Sequence, residues 1–136
     1  MGVVIDTCVF VHLERRRLVV DWVQMFGDTP ICISTITASE LLVGAHRATD
    51  QARRDMRIQI TDQIVATMIV YPFTLSTARV HAPLHADLQS RGQMIGAHDL
   101  IIAATAIEHG HAMMTTNRRE FDRVPGLSVI DFPVTL

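Results

Sequence analysis

Short apolar runs are interspersed with longer segments of helical periodicity along the whole chain. Within each run the residues are continuously apolar instead of alternating between apolar and polar, which is typical of strands buried on both faces of a sheet. Each run is bounded by polar, Gly or Pro positions that mark the ends of elements. The pattern predicts strands over Val3–Asp6, Ile31–Ser34, Met68–Tyr71, Ala112–Thr115 and Leu127–Asp131.

Between these runs, apolar residues recur at the i, i+3, i+4 and i+7 spacing of amphipathic helices. Gly92 and Gly110 suit helix C-terminal positions, and Pro83 is expected to kink or divide the helix around it. The predicted helical segments are Thr7–Arg17, Leu18–Phe26, Thr37–His46, Thr49–Thr67, Ser76–Arg91, Asp99–His109 and Arg118–Phe121.

Strands that alternate with helices from end to end predict an α/β fold with a mainly parallel sheet and helices on both faces. The chain has 136 residues, which fits a single domain over residues 1–136. In such sheets the ligand crevice lies at the carboxyl ends of the strands.

The composition is rich in apolar residues, at 49% with 19% charged residues and a mean hydropathy of +0.26. This favours an apolar surface covered by a partner or a second copy. No apolar stretch reaches the roughly 18 residues that a membrane span needs. The first residues lack the basic region of a signal peptide, so we expect a cytoplasmic protein with no membrane association.

The chain has two cysteines and no lysine. Cys8 and Cys32 lie in apolar surroundings and are expected to be reduced, buried thiols. They cannot form a four-ligand zinc site by themselves. The absence of lysine excludes a P-loop lysine, a Schiff-base lysine and a Ser–Lys dyad.

Four polar side chains lie where an apolar segment ends or begins, namely Asp6, Glu40, Asp99 and Asn117. Strand ends and the helix starts that follow them share one edge of a parallel sheet, so we expect the four to lie close together. Three carboxylates and an amide would then form an oxygen-rich site for a hard divalent cation.

Each of the four also has a purely structural interpretation. Thr37-Ala38-Ser39-Glu40 fits a capping box, and Asp99, Asn117 and Asp6 each precede a helix that they could cap. Capping gives no reason for all four to gather at one edge, whereas clustered carboxylates need a compensating cation. The joint pattern therefore favours a metal site.

Other polar groups are less specific. His81 and His85 are four residues apart on a predicted helix, which suits an acid–base pair or two partly exposed residues. His98 adjoins Asp99 and could line the site. Arg118 and Arg119 flank Asn117, where guanidinium groups could hold phosphates through bidentate contacts.

At these residues the chain resembles PIN-domain proteins, specifically VapC-type toxin ribonucleases of type II toxin–antitoxin systems. The similarity runs in order along essentially the whole chain. Cys8 stands where Ser or Asn is common in the family, a difference we expect to matter little. The matching motifs are Val4-Ile5-Asp6-Thr7, Ser39-Glu40-Leu41-Leu42-Val43-Gly44, Gly96-Ala97-His98-Asp99-Leu100-Ile101-Ile102-Ala103-Ala104, Thr115-Thr116-Asn117-Arg118-Arg119-Glu120-Phe121 and Val124-Pro125-Gly126-Leu127.

The resemblance implies a three-layer α/β/α PIN-like fold with a central, mainly parallel sheet of four to five strands. It implies a Mg²⁺-dependent (Mn²⁺ is also possible) endoribonuclease that hydrolyses phosphodiester bonds in structured RNA such as tRNA or rRNA. It also implies a homodimer and a cognate VapB-type antitoxin.

The resemblance also assigns roles to individual residues. Asp6, Glu40 and Asp99 would hold the metal, and Asn117 would complete the catalytic set. Many members carry Asp at the fourth position, so Glu120 or Asp122 could supply the missing carboxylate. Supporting roles fall to Thr7 in orienting a ligand and to Arg118 and Arg119 in contacting RNA.

Other functions stay open. The neutral Asn117 is also consistent with a catalytically weakened PIN-like protein, which would bind RNA without cleaving it or act as a scaffold. A metal-independent ribonuclease using His81 and His85 would be insensitive to chelation. Phosphatases of the haloacid dehalogenase type need a second Asp two positions after Asp6, where this chain has Cys8.

Overall fold

A five-stranded parallel sheet forms the centre of the computed structural model, which describes residues 1–132. Its strands lie in the order β3–β2–β1–β4–β5, and every neighbouring pair is parallel. The predicted α/β class and the sheet of four to five strands are therefore confirmed. The strands are β1 (Val3–Ile5), β2 (Ile31–Ser34), β3 (Ile69–Tyr71), β4 (Ala112–Thr115) and β5 (Val129–Asp131).

Helices connect the strands and cover the sheet. Pro83 lies inside a helix that continues through it, so the expectation that Pro83 might divide this segment is wrong. The helices of residues 1–132 are α1 (Thr7–Arg16), α2 (Trp22–Phe26), α3 (Thr35–His46), α4 (Gln51–Thr67), α5 (Leu75–Ser90), α6 (Ala97–Glu108) and α7 (Arg118–Phe121).

The prediction that the chain stays helical from Leu18 to Phe26 is wrong for its first four residues. Arg17 adopts a left-handed conformation with φ of 53°, and its backbone N–H donates to carbonyls of the last turn, which ends α1. A new helix then starts at Trp22, because the Asp21 side chain accepts a hydrogen bond of 3.0 Å from the Gln24 N–H.

Two apolar cores lie on opposite faces of the sheet, as the alternation of side chains along a strand requires. In β1, Val4 packs in the core beneath α5 and α6, whereas Val3 and Ile5 pack in the core beneath α1 and α2. Helix α6 contributes Leu100 and Ile102–Ala104, all fully buried, to the first core. This central position explains why α6 is almost wholly apolar.

The sheet and helices bring the proposed site residues to one edge. The Asp6 N–H donates to the Met114 carbonyl at 2.9 Å, which extends the β1–β4 pairing one residue past the end of β1. Asp6 therefore lies level with Thr115, the last residue of β4. In the part of the chain that the structure describes, no helix is long and apolar enough to cross a membrane.

Candidate active site

Asp6 lies at the carboxyl end of β1 and is 3% exposed. Its Oδ2 accepts one hydrogen bond from the Thr115 hydroxyl at 2.8 Å and another from the Cys8 thiol at 2.9 Å. Burial raises the pKa of Asp6, and the nearby charge of Glu40 adds to the rise, while these hydrogen bonds oppose it. Although Asp6 occupies the N-cap position of α1, its side chain caps no backbone N–H of that helix.

Glu40 lies well inside α3, and the predicted capping box is wrong. The helix begins earlier than expected because Ser34 caps it, accepting a hydrogen bond from the Ile36 N–H at 3.1 Å. Glu40 Oε1 instead accepts a hydrogen bond from the Thr7 hydroxyl at 2.8 Å, and Glu40 Oε2 lies 3.5 Å from His98 Nδ1. Tertiary contacts, not helix capping, therefore hold this carboxylate.

Asp99 lies in the first turn of α6, whose N-cap is Gly96 rather than Asp99. Burial raises the pKa of Asp99 to about 6, together with the negative charges of Asp6, Glu120 and Glu40. Carboxyl groups from three other parts of the chain are therefore near enough to Asp99 to disfavour its ionisation.

Asn117 lies beside this cluster and carries no charge. Its side chain is exposed and forms no capping bond with α7, although it occupies the N-cap position. Its backbone N–H donates to Thr115 Oγ1 at 2.9 Å, the same hydroxyl that donates to Asp6. Asn117 is thus tied to Asp6 through one intervening side chain.

The two alternatives for a fourth carboxylate differ in position. Glu120 lies close enough to Asp99 to raise its pKa. Asp122 pairs with Arg118, its Oδ2 lying 3.4 Å from Arg118 Nε. The charge effect on Asp99, together with the pairing of Asp122 with Arg118, therefore favours Glu120 over Asp122 as the group that accompanies Asp6, Glu40 and Asp99.

The two arginines that flank Asn117 differ in their contacts. Arg118 lies between Asp122 and Asp131, with nitrogen–oxygen distances of 3.4 Å to each, so its charge is already shared. Arg119 is exposed, and none of the ion pairs found among residues 1–132 includes it. Arg119 is therefore the more available of the two for an anionic ligand.

The chemistry of this cluster suits a hard cation, since carboxylate oxygens are the ligands that Mg²⁺ and Mn²⁺ prefer. Across residues 1–132, no arginine forms an ion pair with Asp6, Glu40 or Asp99. The side chains as they stand do not converge fully: no group of three His, Cys, Asp or Glu residues within that range is placed to hold a metal. A cation here would need bridging waters or side-chain rotation, and Mg²⁺ characteristically keeps several waters.

The motifs gave no role to three residues that organise this site. Thr115 and Cys8 contact Asp6, and the fully buried Thr37 places its Oγ1 3.0 Å from that of Thr7, which holds Glu40. The one available sequence signal for Thr115 was its position at the end of a buried strand, two residues before Asn117.

His81 and His85 lie away from this cluster. Their rings are 5.9 Å apart on α5, and the ring of Phe73 packs edge-on against His81. Burial lowers the pKa of His81, with a smaller effect from His85. Of the hydrogen bonds and ion pairs described for residues 1–132, none links either histidine to the carboxylates. The histidine-based ribonuclease therefore gains no support.

A groove of about 550 Å³ runs beside the site, with Glu40 among its lining residues. Its walls are mostly apolar and come from helices α1, α3 and α4, from residues 18–20 and from the start of α2. One ion pair borders it, in which Arg57 Nε lies 2.6 Å from Glu14 Oε1. Apolar residues lining the groove include Phe10, Leu13, Val19, Trp22, Leu41 and Ile64.

Sequence comparison finds a family profile that spans all of the candidate site residues. The PIN domain family profile matches residues 3–127. "Ribonuclease VapC1" from Rickettsia felis is 32% identical, with 96% of each chain covered. "tRNA(fMet)-specific endonuclease VapC" from Salmonella typhimurium is 26% identical over 93% of each chain.

Structural comparison gives the same fold. A crystal structure of VapBC2 from Rickettsia felis, bound to a DNA fragment from their promoter, has a TM-score of 0.84 and 22% identity. The similarity covers 98% of this chain and 100% of that chain.

Proposed function

The chain belongs to the PIN domain family, and from that premise we propose that it is a metal-dependent endoribonuclease and the toxin of a VapBC-type toxin–antitoxin pair. The observation that carries the proposal is the carboxylate cluster at the edge of the sheet, where Asp99 has a pKa of about 6. The similarity of this chain to ribonucleases named VapC supports phosphodiester hydrolysis as the reaction at the cluster.

Asp6, Glu40 and Asp99 would hold Mg²⁺ or Mn²⁺, directly or through water, and Glu120 adds a fourth negative charge. When bound, such an ion supplies Lewis-acid activation of water and neutralises charge on the phosphoryl oxygens. Thr115 and Thr7 keep Asp6 and Glu40 in fixed orientations through their hydrogen bonds.

The neutral Asn117 can orient water or accept a donor from the substrate through its exposed amide. Arg119 lies two residues farther along and can contact a phosphate of the RNA backbone. Arg118 is less suited to this task because it already faces two carboxylates.

The substrate we propose is structured RNA, with tRNA tested first and rRNA second. The name of the Salmonella typhimurium relative, an endonuclease specific for tRNA(fMet), supports this order. The sequence of this chain does not indicate which RNA bases are recognised, because arginine contacts read the RNA backbone and shape.

We also propose that the groove beside Glu40 binds a short VapB-type antitoxin. An apolar groove of about 550 Å³ that is lined in part by a candidate catalytic residue would let one partner cover apolar surface and obstruct the site. A homodimer of the toxin and a cytoplasmic location belong to the same proposal.

The first test is RNA cleavage by the purified toxin with Mn²⁺, combined with a thermal melt over the same Mn²⁺ concentrations. Wild type should cleave tRNA and gain melting temperature, because a cation that binds only the folded state stabilises it. Asp99→Asn should lose both effects. Chelation by EDTA should abolish cleavage.

Asp62→Asn is the matched control, since Asp62 is an exposed carboxylate on α4. It should behave as wild type. Cleavage that persists in EDTA, or a melting temperature that Mn²⁺ leaves equally unmoved in wild type and Asp99→Asn, would refute the metal-dependent reaction.

A second candidate function is RNA binding without cleavage. The neutral, exposed Asn117 and the incomplete convergence of the carboxylates favour it. Under this alternative, wild type and Asp99→Asn would retain RNA equally in a filter-binding assay, and neither would cut it at any Mn²⁺ concentration.

A further inference from the structure

Two side chains from different elements fix one oxygen of Asp6. The Thr115 hydroxyl at the end of β4 and the Cys8 thiol in the first turn of α1 both reach Oδ2, at 2.8 and 2.9 Å. An ionised carboxylate oxygen only accepts hydrogen bonds, so the sulfur must supply the proton. Neither of these two side-chain donors is placed on Oδ1.

We propose that Cys8 is a positioning residue for the reaction: with Thr115, its S–H holds Oδ2 of Asp6 and leaves Oδ1 to bind the cation. This inference rests on the proposed function. It assigns a task to a position where the motif comparison expected none.

The surroundings of Cys8 fix its sulfur as well as its proton. The Thr116 N–H lies 3.4 Å from Sγ and donates to it, and Thr115 Oγ1 is 3.4 Å away. The thiol therefore joins the end of β4 to the start of α1 with Asp6 between them. Because a thiol is a weaker donor than a hydroxyl, it orients Oδ2 while withdrawing little of the charge that a cation needs.

The other cysteine provides a control within the same chain. Cys32 lies on β2, is fully buried and packs in the apolar core rather than against the carboxylates. Removing its sulfur tests the loss of a thiol without the loss of a donor to Asp6.

The experiment measures Mn²⁺ affinity by electron paramagnetic resonance for wild type, Cys8→Ser, Cys8→Ala and Cys32→Ala. Loss of a group that orients a metal ligand weakens binding by about tenfold or more, which we expect for Cys8→Ala. Cys8→Ser keeps a donor and should retain the affinity of wild type, as should Cys32→Ala.

A second measurement is independent of the metal. The infrared S–H stretch of Cys8, assigned by difference from Cys8→Ala, should lie at the lower frequency of a hydrogen-bonded thiol. It should rise in Asp6→Ala, which removes the acceptor. Cys8→Ser also lacks the S–H band, so it provides the same difference spectrum if Cys8→Ala folds poorly.

The possible outcomes separate the two proposals. Unimpaired Mn²⁺ binding by Cys8→Ala, equal weakening in Cys8→Ser and Cys8→Ala, or an S–H stretch insensitive to Asp6→Ala overturns the role of Cys8 alone. If wild type binds no Mn²⁺ at all, the proposed function fails and the positioning role falls with it.

Discussion

At the scale of single residues, the site is a set of carboxylates whose charges are held close together. Asp99 shows the consequence most clearly, because Asp6, Glu120 and Glu40 all add to the effect of burial on its pKa. A folded pKa of about 6 against an ordinary 3.8 means that the folded state binds this proton more tightly than the unfolded state does.

Asp99 should therefore make the metal-free protein less stable as the pH rises. Its favourable contribution is fully present below pH 3.8 and is lost as the pH passes through about 6. Because Asp99 is partly exposed, we expect a loss of about 1–2 kcal/mol in the free energy of unfolding. Urea denaturation in EDTA at a series of pH values measures it.

The comparison with Asp99→Asn isolates this effect from other titrating groups. The free energy of unfolding of the variant relative to wild type should rise between pH 4 and pH 7, whereas that of Asp62→Asn should stay level. Parallel pH curves for Asp99→Asn and wild type would contradict the assignment.

At the scale of elements, the end of α1 shapes the groove. The helix stops at Arg17, whose left-handed backbone turns the chain so that Leu18, Val19 and Val20 line the groove instead of extending the helix. A residue with a Cβ pays a steric cost in this conformation, and glycine does not.

Arg17→Gly should consequently stabilise the protein by about 1 kcal/mol. Arg16→Gly is the matched control, since Arg16 is also exposed but is the last residue of α1. Glycine within a helix lowers stability by about 0.5–1 kcal/mol. Chemical denaturation of both variants tests the assignment; destabilisation by Arg17→Gly would show that the turn depends on the arginine side chain.

At the scale of the whole molecule, the carboxylate cluster and the apolar groove share Glu40, so a partner in the groove lies against the site. Helices α1 and α3, which leave the carboxyl ends of β1 and β2, contribute residues to the groove and position the carboxylates. Under the proposed function, a partner bound in this groove would obstruct the site without resembling RNA.

Val19→Asp tests the groove, because Val19 lines it and is 97% exposed, so the change should leave the fold intact. The partner to test is the product of a small neighbouring reading frame, and calorimetry measures its affinity. We expect Val19→Asp to lower this affinity by at least about tenfold, because the introduced carboxylate must be desolvated when the partner binds. Leu75→Asp is the control at an exposed apolar residue that does not line the groove. Equal affinities for the two variants would place the partner elsewhere.

The sequence by itself determined the order of elements, the parallel sheet and the residues at its carboxyl edge. Those features follow from local periodicity and from the ends of apolar runs, which any chain of this pattern must obey. It also predicted Asp6, Glu40, Asp99 and Asn117 as site residues, and their role stays a prediction. Its capping interpretations failed at Glu40 and Asp99, because α3 and α6 begin earlier than their apolar runs indicate.

Only the tertiary structure decided which groups meet those side chains. The contact of Thr7 with Glu40, the two donors on Asp6 and the choice of Glu120 over Asp122 join residues far apart in the chain. Hydrogen bonds require contact within about 3 Å, and the strength of a charge interaction depends on separation and burial. Neither interatomic distance nor burial can be derived from the spacing of residues along the sequence. The proposed role of Cys8 therefore follows only from the position of β4 beside it.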